Sequence, residues 1–179
     1  MFDWLAAWIE QLLMVIPRFV KIRATHRMVK WPWCGKPIEK KPGLRLVWPL
    51  FDDWEVVVVA RQTDSLSPQT LTLSDGTTVA VAGLTIYQVD DVVAAYGERN
   101  WDITSTINDL SMAAIAEVVT KLTKGDLQSL SRINSRITRR VRAWSEEYGV
   151  KVERCRLVEV SVARTIRHLG VEISCASSV

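Results

Sequence analysis

Two acidic doublets, Asp52-Asp53 and Asp90-Asp91, are the residues whose types first suggest chemistry. Neighbouring carboxylates can divide into a general acid and a general base when their surroundings push their pKa values apart. Each doublet, however, sits at a turn or at the start of a helical pattern, where carboxylates accept hydrogen bonds from backbone N–H groups. No acid–base partner can be placed beside either one. The three cysteines, Cys34, Cys155 and Cys175, form no CxxC pair, and an odd number argues against a disulfide framework. Cys155 falls on an apolar strand face, where a buried reduced thiol is expected, and this points to a reducing compartment. His26 and His168 have no metal-ligating neighbour at helical spacing, so a zinc site is not expected. The chain carries no nucleophile elbow, P-loop, HExxH or dinucleotide fingerprint. The expectation is a protein without catalytic residues, cofactor or metal.

The strongest charge cluster is Arg132, Arg136, Arg139, Arg140 and Arg142, all within one helical pattern. As a nucleic-acid surface it is poor. Glu146, Glu147 and Glu153 follow it, no stacking aromatics interleave, and the formal net charge of the chain is only +3. It reads instead as a solvated face or a contact between subunits. In the second case Arg132, Arg136, Arg139 and Arg140 meet Glu146, Glu147 or Glu159 of a neighbouring copy.

That cluster belongs to the segment around which the chain is organised, residues 131–160. Ile133, Ile137, Val141 and Trp144 recur at steps of four, four and three, which stacks them on one helical face. Ser131 is the expected N-cap and Gly149 the expected C-terminal stop. A strand follows, and its apolar parity changes partway. Val150 and Val152 share one face, whereas Cys155 and Leu157 share the other. A strand that buries all four needs a bulge near Glu153-Arg154. Trp144 and Val141 are expected to be buried against a sheet supplied by the rest of the chain.

The N-terminal stretch is the second distinctive region. On a helical wheel Trp4, Leu5, Trp8, Ile9, Leu12, Leu13, Val15 and Ile16 cover roughly half the circumference, and Asp3 and Glu10 lie opposite. The run is short for a spanning helix, which needs about 20 mostly apolar residues. It also lacks the basic start of a signal peptide. A helix lying in a membrane interface fits this pattern, with Arg18 and Lys21 meeting anionic headgroups. The other reading packs the same apolar face on the domain or on a second subunit. Eight Trp among 179 residues, against three Phe and three Tyr, suit either kind of half-buried boundary.

Between these regions the pattern is mostly strand. Residues 20–31 form a first strand of imperfect alternation, and residues 31–43 form a loop punctuated by Pro and Gly, its Trp and Lys able to touch lipid or a partner. Residues 54–61 follow, with Val56, Val57, Val58 and Val59 apolar on both faces, so this strand should be central or covered on both sides. Residues 71–89 form a hairpin turning at Asp75-Gly76. Val79, Val81, Thr85 and Tyr87 share one face of its second strand. A helical turn starts at Asp90 or Asp91. A longer helix, capped by Asn108 or Asp109, contains Ile115, Val118, Val119 and Leu122 and stops at Gly125. Strands followed by helices predict an α+β domain with a mostly antiparallel sheet, helices after it, and a returning last strand.

Gly149-Val-Lys-Val-Glu-Arg154, placed behind that helix, closely resembles the end of the stomatin/prohibitin (SPFH, or band 7) domain. Pro42-Gly43-Leu44, Pro49 and the strand ending at Arg61 resemble the same family, and Thr72, Asp75, Gly76 and Val79 match its hairpin. The resemblance covers about residues 21–163 in element order. With the apolar wheel above, the expected division is residues 1–20 as an amphipathic membrane-associating helix, residues 21–163 as the SPFH domain that the resemblance implies, and residues 164–179 as a short tail in place of the family's long charged helix. The resemblance further implies a non-enzymatic, self-assembling scaffold that organises membrane or regulates membrane proteins, including proteases. The implied partners are further copies of the chain, membrane lipid and a membrane protein or protease, with no nucleic acid. The implied location is monotopic or peripheral, with the domain on the cytoplasmic side. The alternative is a soluble protein-binding module whose N-terminal helix docks on a partner.

Overall fold

The computed structural model describes residues 16–97 and 102–162. Its strands are β1 (Arg18–Ile22), β2 (His26–Pro32), β3 (Ile38–Lys40), β4 (Gly43–Val47), β5 (Asp52–Val58), β6 (Gln62–Thr72), β7 (Thr78–Val89) and β8 (Val150–Val162). The helices are α1 (Val92–Tyr96), α2 (Ile103–Val119) and α3 (Leu130–Ser145), with short 3₁₀ turns before and after α3. The strands form a β1–β4 ribbon, a β3-β2-β5 sheet and a β6-β7-β8 sheet, and every strand pairing among the described residues is antiparallel. This is the expected α+β order of strands, then helices, then a returning strand.

The two-fold alternation of β7 drives the larger core. Val79, Val81, Thr85, Tyr87 and Val89 are buried on one side, where α2 and α3 cover them. The helices present Ile107, Ile115, Val118 and Val119 from α2, and Ile133, Ile137 and Val141 from α3. Each such aliphatic side chain contributes about 1.5–3 kcal/mol when fully buried. Trp144 departs from expectation. It is half-buried at the rim of this core, and Ser145 takes the buried position instead. Steps of four from Ile133 lead to Ser145, and its small side chain lets the helix end approach the sheet. Trp144 lies beside that line and carries the Arg140 guanidinium 4.7 Å above its ring.

The parity switch in β8 resolves as expected. Val152 pairs with Tyr87 and Arg154 with Ile86, so Glu153 is the extra residue of a bulge. Val150, Val152, Cys155 and Leu157 thereby all face the core. A second irregularity occurs at Val158, between the Leu157–Gly83 and Glu159–Ala82 pairs. Gly149 ends the preceding turn at φ 64°, and an added Cβ there would meet the Asp91 carbonyl oxygen at 2.6 Å. Its own carbonyl accepts from the N–H groups of Asp90 and Asp91 at 3.0 Å each, which ties the start of α1 to the start of β8.

β8 is an edge strand, and α3 seals much of that edge with a polar stripe. Leu157 N–H donates to Asn134 Oδ1 at 2.9 Å, Thr138 Oγ1 donates to the Cys155 carbonyl at 2.8 Å, and Arg142 Nε donates to the Val152 carbonyl at 2.7 Å. Residues four apart on a helix line up, so one stripe follows one strand edge.

Five other expectations need correction. α3 starts at Leu130 with Ser129 at its N-cap and no side-chain capping bond, so Ser131, the expected cap, lies inside the helix. Residues 20–31 are two strands, β1 and β2, that turn at 23–25 into different sheets. The loop after Trp31 contains the short strand β3. The longer helix starts at Asp102, whose carboxylate accepts from Thr104 N–H at 3.0 Å and Ser105 N–H at 3.2 Å, rather than at Asn108 or Asp109. It ends at Val119, before Gly125. β5 is an edge strand rather than a central one, although its two faces do reach two cores. Val57 joins the larger core, and Trp54 packs on a small one made of Ile22, Met28 and Val47.

Candidate functional site

The β1–β4 ribbon has one covered and one open face. Val20, Ile22 and Val47 turn inward to the small core. Register pairs Phe19 with Leu46 and Lys21 with Leu44 on the other face. There Phe19 is 71% exposed and Leu44 64%. The same open surface runs on through the turn after β4, where Trp48, Leu50 and Phe51 are all about half exposed. Phe51 makes edge-on ring contacts with Trp48 at 6.0 Å and with Trp33 at 6.5 Å, and Trp33 is 78% exposed. Scattered apolar residues on a surface are ordinary, but six large ones on a ribbon and its turn, with Trp33 of the loop after β2 against them, mark an interaction surface.

The turn is held by hydrogen bonds rather than by burial. Phe51 N–H and Asp52 N–H donate to the Trp48 carbonyl at 3.0 and 2.9 Å, and Trp33 N–H donates to the Phe51 carbonyl at 2.9 Å. Asp52 Oδ2 accepts from Trp48 N–H at 3.2 Å and pairs with the Lys30 ammonium at 2.7 Å. The Lys30 bond holds the Asp52 carboxyl below its usual range, with the Trp48 N–H adding to the effect. Asp52 therefore clamps the turn that presents the rings. Asp53 accepts from Trp54 N–H at 2.9 Å. In the second doublet, Asp91 caps α1 by accepting from Val93 N–H at 2.9 Å and Ala94 N–H at 3.0 Å. Both acidic doublets thus bind backbone.

The N-terminal residues of the membrane-binding set, Trp4, Leu5, Trp8, Ile9, Leu12 and Leu13, lie outside the described residues. Ile16 is half exposed just before β1. Arg18 and Lys21 are exposed on β1, and Lys21 shares the open face with Phe19, Leu44 and Leu46. Arg45, Lys36 and Lys41 add exposed cations nearby along the chain. The sequence reading passed over this apolar face. The signal was the run Trp48-Pro-Leu-Phe51, four large or rigid residues at a position that has to be a turn.

The arginines of α3 separate into two groups. Arg140 forms a fork to Glu117, at 2.7 and 3.0 Å, and Arg142 binds the β8 backbone. Arg132, Arg136 and Arg139 are exposed, as are Glu146 and Glu147 at the far end of the helix. Cys155 is fully buried with Thr85 Oγ1 at 3.4 Å, and burial pushes its thiol pKa up, away from the reactive thiolate. Among the described residues no group of three potential metal ligands converges, and no helix is long and apolar enough to cross a membrane.

An α+β domain with a separate, exposed apolar ribbon, and with both acidic doublets bound to backbone, has the build of a binding or scaffolding domain. The sequence model of the SPFH domain / Band 7 family matches residues 20–169, and the chain belongs to that family. Its members are in general membrane-associated scaffolds without enzymatic activity. Comparison with curated proteins gives no match.

Proposed function

We infer that the chain is a membrane-attached, self-associating scaffold that binds bilayers peripherally and organises lipid or membrane proteins, membrane proteases among them. The observation that carries this reading is the open apolar face of the β1–β4 ribbon and its turn. Exposed Phe19 and Leu44 beside Lys21 on the ribbon, and the Trp and Phe rings of its turn, suit the headgroup boundary, where aromatic rings sit and cations meet anionic lipid. The apolar wheel of residues 2–16 leads directly into this ribbon. Stable attachment through weak elements needs two of them, and a helix plus a ribbon supplies two. The exposed Arg132, Arg136 and Arg139, with Glu146 at the other end of α3, support contact between copies.

Flotation with liposomes tests attachment. The wild type should float, Ile9→Asp with Leu12→Asp should lose binding while the domain stays folded, and Arg18→Glu with Lys21→Glu should weaken binding chiefly to anionic vesicles. A wild-type protein that stays at the bottom of the gradient would favour a soluble module whose N-terminal helix docks on a protein. Particle mass in mild detergent tests self-association, and a strict monomer at both low and moderate salt would contradict it.

A further inference from the structure

The edge of β8 and the flank of α3 border a groove of about 600 Å³ whose positive charge finds no acidic partner among the described residues. Its floor is the polar stripe of Asn134, Thr138 and Arg142, already bonded to the β8 backbone. A partner therefore cannot enter here by adding a strand, because the strand edge is occupied. What remains open is positive charge. Arg139 stands on the helix side, and Arg154 and Arg156 stand two apart on the strand side, all three exposed. The strand neighbours of Arg154 and Arg156 are Ile86 and Leu84, which offer no counter-charge. The one acidic residue lining the groove, Glu153, is engaged by Arg61 at 3.0 Å. Arg140, one position from Arg139, shows the contrast: its guanidinium is matched by Glu117.

We propose that this groove binds a small anion bearing several phosphate groups. Guanidinium forks match phosphate oxygens in pairs, and charge-assisted bonds of this kind are the strong ones. The walls carry hydroxyl, amide and guanidinium groups rather than large apolar side chains, so the ligand is recognised by charge and hydrogen bonding. The volume lies within the range of small-molecule sites and exceeds what one phosphate fills. Such phosphates reach a protein either as a soluble molecule or as the headgroup of a lipid. Arg139, Arg154 and Arg156 bind in both cases, and Ser131 and Ser135 on the helix wall lie within the same groove.

The test is calorimetry of the full chain against inositol hexakisphosphate and inorganic pyrophosphate at low salt, paired with flotation on neutral vesicles with and without a phosphoinositide. The expected result is saturable binding of inositol hexakisphosphate, weaker binding of pyrophosphate, and affinity that falls as salt rises. Arg154→Gln with Arg156→Gln should weaken binding about tenfold or more, while Arg154→Lys with Arg156→Lys should recover part of the loss. Arg139→Gln, on the other wall, should weaken binding independently, so a folding defect in the strand variant does not decide the matter. Arg18→Gln with Lys21→Gln, on the ribbon, should leave calorimetric binding unchanged, which separates this groove from membrane attachment. A phosphoinositide-dependent gain in flotation that is lost in the groove variants identifies the headgroup as the source; soluble binding without that gain identifies a free ligand. No binding of any probe at about 1 mM, or binding that the groove variants retain in full, would overturn the proposal.

Discussion

The two ends of this molecule hold their apolar residues in opposite ways. Around α2, α3 and the β6-β7-β8 sheet, side chains from helices and strands fill one continuous core, and the helix arginines that border it are paired with Glu117 or with backbone. At the β1–β4 ribbon the buried set among the described residues is Ile22, Met28 and Val47, while six large apolar side chains of the ribbon and its turn are half or more exposed, Trp48 a little less. Burial shapes the first region. Hydrogen bonds among Trp48, Asp52, Lys30 and Trp33 shape the second. An apolar surface kept rigid without being buried is available to a lipid or protein partner, and so the difference between the two ends is a difference of role.

Substitutions in the larger core should hurt folding most. Ile137→Ala removes a fully buried side chain and should cost about 2–5 kcal/mol by chemical denaturation, with membrane binding unchanged once the protein is folded. An unchanged unfolding midpoint would break the comparison at its stable end. Gly149→Ala should come next, costing more than about 1 kcal/mol, because its φ of 64° disfavours a side chain and the new Cβ would press on Asp91 and Ala94. A neutral result would show that the α1–β8 junction can shift without loss.

Trp144→Ala sharpens the same end. A fully buried Trp would cost about 3–5 kcal/mol on truncation. Held half-buried under Arg140, it should cost about 1–2 kcal/mol, from partial burial plus the cation–ring contact. A loss near 4 kcal/mol would place the ring deeper than the structure does.

At the ribbon end the effect should depend on pH. The folded Asp52 carboxyl is lowered by its Lys30 bond. Its contribution is therefore fully present above the unfolded value of about 3.9 and is lost as pH falls through the lowered folded value. Asp52→Asn should reduce stability at neutral pH, and the gap from wild type should close in acid well below that value. A gap that persists unchanged in acid would assign the role of Asp52 to something other than its charge.

Much of the larger core was legible in the sequence because periodicity reports it directly. The alternation of Val79, Val81, Thr85 and Tyr87 and the four-residue steps from Ile133 to Val141 each specify one face. The parity conflict between Val152 and Cys155 required the bulge that Glu153 supplies. Other features left no such mark. The β1–β2 turn at Arg23-Ala-Thr25 contains neither Gly nor Pro, so it read as continuous strand. The first turns of α2, Ile103-Thr-Ser-Thr-Ile107, are β-branched and polar, which hid the cap at Asp102. The apolar ribbon was missed for a more basic reason. A pattern of apolar residues states which side chains share a face, but only the fold states whether that face is covered.

The smallest effect on stability should coincide with a large effect on attachment in one variant. Phe19→Asp with Leu44→Asp alters ribbon side chains that are 71% and 64% exposed and should move the unfolding free energy little beyond the about ±0.5 kcal/mol typical of surface changes. The same variant, compared with wild type by flotation on anionic liposomes, tests most directly the claim that the ribbon is a membrane-facing surface. The account predicts a clear fall in the floating fraction with a nearly unchanged denaturation curve. A variant that is folded and floats as wild type does would contradict it.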